Sequence, residues 1–588
     1  MAAGPQHIPY VPGIAVATST PLHFTAISIP PATAVSLIPQ IVWTVVPAKD
    51  PLDRDVFVSN STGSDAQLFG FVYGDLTVQG SAQRPFLTLA AAYVAMRDGF
   101  GDRMWLKKGD TWTSESLGTW GKSGVTSARP MIVGAYGSGA RPLIKTGLAS
   151  IVVCGTASNI HDVWFMDFEA YPHLYNGSTN YTSGVSWQCG ASGSNNILFE
   201  NLSIHDYGKM NFLINSLTAT PSINTTLRGC NVYRANCNFG GTFAFNFDAM
   251  WTVEGIYAYG CQGLTIDFCM FDENGWIVPT EQHALRRNMY IDNVNTGVVI
   301  TNCWLLRTEG IQLRCGGTFV NCALSNGCSP IYLGDGSSPN VGGVNVICED
   351  NVALATQDPQ AGWLGLINVN WAMTVSNVSS GSIRRNICAN SSNANDAVGL
   401  GFDSSHPVYP YICANVEVED NIFHDCGGWS LYFYPNAGSP FWTSNGFRRN
   451  IFQNPNNHNY STYYHTHSPS SQALVYLGDM TIGHAEFDMQ ENKYWPGAGS
   501  LDVQINPGPQ SELLATYWSQ FADAGSTKVL TTFVDSTRSV PSYSTAIGGP
   551  ATLTLFCDVL RAMSKDNWDM RYTAPSFNAY ARTGFTPV

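Results

Sequence analysis

The stretch VVITNCWLL at residues 298–306 decides the fold. Its pattern is apolar, any, apolar, two mostly polar residues, then Cys or Asn, any, apolar. The pattern recurs along the chain. Upstream it is LTIDFCMFD at 264–272 and TTLRGCNVY at 225–233. Downstream it runs through TFVNCAL (318–324), VICEDNVAL (346–354), SIRRNICAN (382–390), VEVEDNIFHD (416–425), GFRRNIFQN (446–454) and FDMQENKYW (487–495). Two earlier copies, VWFMDFEAY (163–171) and ILFENLSIHD (197–206), carry an apolar residue at the Cys/Asn place.

Within each copy the apolar residues alternate, so one face of a short strand points inward. Copies lie roughly 20 to 39 residues apart. The shorter spacing is near the minimum for one coil of three short strands, and the longer ones imply loops at the corners. A single coil cannot bury its inner face, whereas coils stacked about 4.8 Å apart bury a continuous core. The fold class is therefore all-β, a right-handed parallel β-helix. The Cys/Asn place becomes a column: Cys230, Cys269, Cys303 and Cys322, then Asn351, Asn386, Asn421, Asn450 and Asn492. Asn can bridge coil to coil through its amide, and Cys can fill the same inward corner as a small apolar group.

Composition agrees. A chain of 588 residues exceeds what one compact core supports. Charged residues are only 12%, about half the usual share, while Gly (56) and aromatics (12%) are abundant. A net charge of −14 argues against nucleic acid or anionic membrane as partner. The fifteen cysteines show no CxxC and no zinc-type Cys/His spacing, so the column explains most of them as reduced, structural thiols.

The first 48 residues contain no Lys, Arg, Asp or Glu, and prolines from Pro5 to Pro39 interrupt every apolar run. No membrane span and no secretory signal is expected. Residues 1–54 read as an uncharged arm: flexible, or running along a neighbouring subunit, or anchoring the chain to a larger assembly. Residues 55–500 read as the β-helix and 501–588 as a C-terminal cap with helices. An N-terminal cover is expected from DVFVSNSTGSD (55–65) and RPFLTLAAAYVAMRDG (84–99), where Leu87, Ala90, Ala91 and Val94 share one side of a helix that Gly99 can end. MWLKKGDTW (104–112) and RPMIVGAYG (129–137) read as the first coils. Helical spacing also marks LLATYWSQFADA (513–524) and LTLFCDVLRAMS (553–564), the latter with Leu553, Phe556, Leu560 and Met563 on one face.

The GSD turn, the PFLTL capping helix and the strand ending in KKGDTW resemble the entry of pectate-lyase-like, right-handed β-helix proteins. MYIDN (289–293) and GIQLRCGGTFVNC (310–322) resemble that family's central coils. The resemblance spans about residues 55–500. The closing NWDMRYTAPSFNAYARTGF (567–585) is similar to tails on bacterial and phage β-helix proteins, read as a cap packed on the last coils. The resemblance implies a polysaccharide partner (capsule, exopolysaccharide or lipopolysaccharide) and a homotrimer. It reaches lyases, hydrolases, epimerases and non-catalytic binders.

Aligned outer residues just past the column are His205 with Asp206, Tyr233 with Arg234, Asp272 with Glu273, then Arg307. Beside them lie His283, Arg286, Arg287 and Tyr290 in EQHALRRNMYID (281–292), and Glu309 and Arg314 in RTEGIQLR (307–314). Two mechanisms fit. A uronate lyase must neutralise a carboxylate, remove the C5 proton and protonate the leaving oxygen, roles for Arg314 or Arg307, His283 and Tyr290 respectively. A glycosidase needs two carboxylates, with Asp206, Asp272, Glu273 and Glu309 available. No cofactor is required, although a metal can replace Arg as neutraliser. His205, Asp206, Arg234, Trp276, Arg287 and Glu309 are expected to bind substrate, and Trp276 and Trp304 can stack on sugar rings. The bland reading is that Arg and Asp on neighbouring coils pair along the ladder and that acidic residues after strands cap turns. His424 with Asp425 reads as such a turn pair, and His465–His467 lacks a third metal ligand.

The leading expectation is a phage tailspike-like or bacterial surface protein, in a virion tail or extracellular, that binds and cuts a cell-surface polysaccharide. Residues 1–54 would attach it to other tail proteins. The alternatives are a secreted, monomeric polysaccharide lyase and a purely structural or adhesive β-helix.

Overall fold

A computed structural model describes residues 38–66, 81–155, 159–176, 182–235, 253–275, 286–327, 330–334, 342–355, 371–391, 398–403, 412–426, 429–434, 442–454, 473–477, 486–497, 501–505, 510–512, 519 and 521–588. Among them, three sheets of 17, 14 and 14 strands run the length of a right-handed parallel β-helix. Each coil visits the first, second and third sheet in turn. The coil around residue 300 is typical, with strands Val299–Thr301, Trp304–Leu306 and Glu309–Leu313.

Tight corners explain the repeat. The chain turns from first to second sheet in two residues, the first of which takes a left-handed backbone, as at Asn302, Asn321, Asp350 and Arg385. The second of the two residues is the Cys/Asn column, buried throughout. Asn386 Nδ2 donates to Asn421 Oδ1 at 2.9 Å, and Asn421, Asn450 and Asn492 repeat the link at 2.9 and 3.0 Å. Each oxygen also accepts the N–H of the preceding column residue, as Asn421 does from Asn386 at 2.9 Å. In the cysteine half the sulfur takes over as a weak acceptor: Cys230 N–H points at Cys269 Sγ at 3.4 Å.

The N-terminal end is covered by helix α1 (Leu89–Ala95), capped by Thr88, whose hydroxyl donates to Asp65 at 2.6 Å. The helix buries Leu89, Ala91 and Ala92 and ends at Ala95, four residues before Gly99. The expected face is thus rotated, and Val94 is 71% exposed.

The C-terminal segment departs further from expectation. It is a helical cap that starts on the last coils, where Thr527 pairs with Lys493, and then runs back over the outer face of the second sheet. Gln453 holds Thr531, Asn390 holds Ser536, and Trp304 donates to Tyr572 O at 2.9 Å. Asn201 then holds Lys565, and Lys108 of an early coil pairs with Asp566. Helices α2 (Val540–Ala546), α3 (Leu553–Ala562) and α4 (Ala574–Gly584) lie on this strap. Their apolar faces, Phe556, Cys557, Leu560 and Phe577, pack with outward residues of the sheet such as Trp304, Leu354 and Ala389. Under these helices the second sheet is consequently packed against apolar side chains on both sides. The expected helix at 513–524 lies mostly outside the described residues.

Residues 38–50 pack on their own chain. The Trp43 ring meets Trp568 of the strap edge-on at 5.2 Å, and Thr44 N–H donates to Glu200 Oε2 at 2.9 Å. Trp43 also lies against Gly229, where a Cβ would fall 2.4 Å from the indole, so a side chain at 229 is excluded. No helix among the described residues is long and apolar enough to cross a membrane.

Candidate functional site

The predicted site residues fall on three separate places. Asp272, Glu273 and Arg307 do not line an open groove. They form a buried knot beneath the strap, in which Arg307 grips Asp272 through two bonds of 2.8 and 2.6 Å and reaches Glu273 at 2.7 Å. Arg561 of α3 closes the knot at 2.6 Å to Asp272 and 2.5 Å to Glu273. Burial opposes ionisation of Asp272, but the two guanidiniums outweigh it and hold its carboxyl below the ordinary range. Glu273 is pushed up by burial and by the Asp272 charge. The strip expected to face solvent is covered by α3, whose apolar face packs on the outward residues Met270 and Trp304 of this sheet.

His205, Asp206 and Arg234 form a second cluster on the same sheet, nearer the N-terminal end. The His205 ring is stacked between Tyr171 (5.0 Å) and Tyr233 (4.5 Å). Its Nδ1 meets Asp206 at 2.7 Å and its Nε2 meets Glu169 at 3.2 Å, while Arg234 pairs with Asp206 at 2.8 Å. Burial favours the neutral ring, but the two carboxylates prevail and raise its pKa. Every polar atom of this imidazole is committed within the cluster, as expected of a ladder pair.

Arg287, Tyr290, Glu309 and Arg314 come together on the third sheet. Strands Glu254–Tyr259, Arg287–Ile291 and Glu309–Leu313 lie in register on successive coils, aligning Glu254 with Arg287 and Glu309, and Tyr257 with Tyr290 and Gln312. Ile256, Ala258, Met289, Ile291, Ile311 and Leu313 point into the core, so Tyr257, Tyr290 and Gln312 point out. Tyr257 and Tyr290 stack at 5.5 Å, and the Tyr257 hydroxyl donates to Asp292 at 2.9 Å. Arg314 Nη1 donates to the Tyr290 hydroxyl. The Arg287 guanidinium lies 5.1 Å from the Tyr290 ring centre, which places Arg287 on this outward side too. Burial holds the Tyr290 phenol protonated beyond its usual range, against the pull of Arg314.

Glu254, Arg287 and Glu309 form the floor of this cluster. Arg287 Nε donates to Glu309 Oε1 at 2.9 Å. Glu254 Oε2 and Glu309 Oε2 are buried with no hydrogen-bond partner among the described residues. Burial pushes Glu254 up to about 8, the neighbouring Glu309 adding to it against Arg287, Lys209 and Arg286. Burial likewise pushes Glu309 up to about 7, against Arg287. One guanidinium balances one carboxylate, so the second carboxyl keeps its proton near neutral pH. Glu254, Tyr257 and Asp292 were missed from the sequence. A signal existed: Glu254-Gly255-Ile256 repeats as Glu309-Gly310-Ile311 on the same sheet.

His283 and Trp276, the proposed base and a sugar-stacking residue, lie outside the described residues, as does His465–His467. Among the described residues no group of three or more His, Cys, Asp or Glu is arranged to hold a metal ion.

No family model matches the sequence, and no curated protein does. Solved structures that are similar in part include a family PL6 alginate lyase (10% identity, TM-score 0.40, 82% of this chain and 57% of that one). A pectate lyase matches at 14% identity and TM-score 0.30, over 64% of this chain and 79% of that one. ORF18 of Geobacillus virus E2 matches at 12% identity and TM-score 0.29, over 62% and 60%. The β-helix assignment rests on the chain's own three parallel sheets.

Proposed function

We propose that this chain binds an extended acidic polysaccharide along the outer side of the third sheet and cleaves it there. The observation that carries the reading is the Tyr290 phenol with Arg314 on its hydroxyl and Arg287 by its ring. Coils about 4.8 Å apart present outward side chains at a spacing that an extended sugar chain can follow. Arg314 neutralises the carboxylate of a uronate, which acidifies its C5 proton, while Arg287, paired with Glu309 below, supports the Tyr290 ring. Tyr290 protonates the leaving oxygen, a role its retained proton suits. His283 is the candidate base that removes the C5 proton. The product of this lyase reaction is an unsaturated sugar.

A second reading, hydrolysis, is favoured by Glu254 and Glu309, two carboxyls on alternate coils with opposite protonation demands. The setting proposed with either chemistry is a virion tail or the cell exterior, with a homotrimeric assembly on a capsule, exopolysaccharide or lipopolysaccharide. Val42 and Val45, 76% and 81% exposed beside the docked Trp43, offer apolar surface for such an assembly next to the uncharged arm.

The test is incubation with a panel of acidic and neutral polysaccharides, following both the ultraviolet absorbance of a new unsaturated bond and new reducing ends. Absorbance with reducing ends supports the lyase, and reducing ends alone support the hydrolase. Binding without either signal overturns cleavage and leaves an adhesive β-helix.

A further inference from the structure

Cys154 and Cys189 stand apart from the other thiols. In the column, a sulfur does the work of an Asn oxygen: Cys269 Sγ lies 3.4 Å from the N–H of Cys230, and Cys322 Sγ lies 3.4 Å from the N–H of Cys303. Cys154 and Cys189 lie instead on adjacent strands of the third sheet, Val152–Cys154 and Val185–Gly190. These strands pair in parallel, Val152 with Val185 and Val153 with Ser186. Beyond that pairing the later strand bulges: Gln188 aligns with Asn215 and Gly190 with Ser216, leaving Cys189 as the extra residue. The two sulfurs face each other at 2.9 Å inside the core, where both side chains are shielded from water.

We infer that Cys154 and Cys189 form a cross-coil disulfide when the protein matures under oxidising conditions. The register sets Cys154 beside Trp187, two residues before Cys189, and the two side chains lean towards each other along the strands to bring their sulfurs together. Reaching the bonded sulfur separation of about 2.05 Å requires a sub-ångström approach, which rotation about two side-chain bonds supplies. The partner thiol biases the chemistry. Hydrogen bonding from Cys154 draws the Cys189 thiol below its usual range, and the same contact with burial raises Cys154.

The oxidant is a small-molecule or protein disulfide. Cys189 thiolate attacks one of its sulfurs, forming a mixed disulfide and expelling one thiolate. Cys154, losing its proton to solvent, attacks Cys189 Sγ and expels the second thiolate. One disulfide is consumed, two thiols are released, and the protein loses two hydrogens. Because both sulfurs are buried, the exchange proceeds during folding or transient opening of these coils. The bridge closes a 35-residue loop and staples two early coils together.

The experiment refolds the full chain in a buffer of reduced and oxidised glutathione, blocks free thiols under denaturing conditions and maps peptides by mass. The expected result is one linked peptide pair, Cys154 with Cys189, and a protein lighter by two hydrogens than its reduced form. Reduction then lowers the unfolding temperature by several degrees, and a C154S/C189S variant shows no such redox dependence. All fifteen thiols blocked after oxidative refolding, or a bridge within the 230–322 column instead, overturns the inference.

Discussion

Arg561 and Asp272, 289 residues apart in sequence, are joined at 2.6 Å beneath helix α3. With Arg307 and Glu273 they tie the C-terminal strap to the middle of the β-helix. Removing Arg561 leaves two buried carboxylates facing one guanidinium. Arg561→Ala is expected to destabilise the strap's docking by about 3–5 kcal/mol, the usual cost of orphaning a buried charge. Hydrogen exchange and limited proteolysis over residues 529–588 check this, with faster exchange there than in the coils. Retained protection of the strap contradicts it.

The Asn column predicts a different failure. Asn386→Ala removes the acceptor for Asn351 N–H and Nδ2 and takes from Asn421 Oδ1 its Nδ2 donor, leaving only the backbone N–H of residue 386. Each buried donor left unmet costs about 1–3 kcal/mol, so the variant should unfold at lower denaturant with an unchanged slope. An exposed control in the same corner, Arg385→Ala, should cost much less because its pairs with Asp350 and Glu349 are solvent-screened.

Glu254 and Glu309 set a pH dependence. Both pKa values are raised on folding, so the native state holds protons the unfolded chain has released. The stability they contribute is complete below about 4.5 and is lost as pH rises towards 7 for Glu309 and 8 for Glu254. Unfolding followed from pH 5 to 8 should therefore show declining stability across that range. Glu254→Gln, which cannot ionise, should flatten the decline, most visibly between pH 7 and 8. A wild-type profile that rises across this interval contradicts the assignment.

The same proton bears on rate. If hydrolysis is the chemistry, Glu254→Gln abolishes the alkaline limb of the pH–rate profile. If elimination is the chemistry, the limb survives and KM rises, because Glu254 then acts through Arg287. Measuring kcat and KM separately over pH distinguishes the two.

How much of this was legible in the sequence follows from what each signal constrains. The Cys/Asn column fixes a corner, and a corner fixes register, so the coils from Val163 to Trp495 could be placed by pattern alone. The face of Leu553, Phe556 and Leu560 declared a buried side without saying what it is buried against. Its partners, Trp304 and Leu354, look like ordinary outward residues of a strand. The strap's path was therefore hidden, and with it the fate of Asp272, Glu273 and Arg307. Arg287, Tyr290, Glu309 and Arg314 were found because a dense run of ionisable residues is rare in a chain this poor in charge. Glu254 was missed because it is isolated in WTVEGIYAYG, and only alignment of the two EGI triplets sets it beside Arg287.

The strap also predicts where substrate does not bind. Trp304 is packed between Phe556 and Phe577, at ring distances of 5.5 and 5.1 Å, and cannot serve as a sugar platform. Trp304→Ala should lower stability by about 3–5 kcal/mol and leave glycan affinity intact. A loss of affinity in a folded Trp304→Ala protein would place substrate on the second sheet.

Cleavage is proposed at Tyr290 on the third sheet. Its most direct measurement is kcat on the polysaccharide the protein cuts, for wild type, Tyr290→Phe and Asp272→Asn, each normalised to folded protein. A fall of about 10²–10⁴-fold is expected for Tyr290→Phe, the usual worth of a positioned proton donor, and an unchanged kcat for Asp272→Asn. Wild-type kcat in Tyr290→Phe, or a selective loss in folded Asp272→Asn, would contradict it.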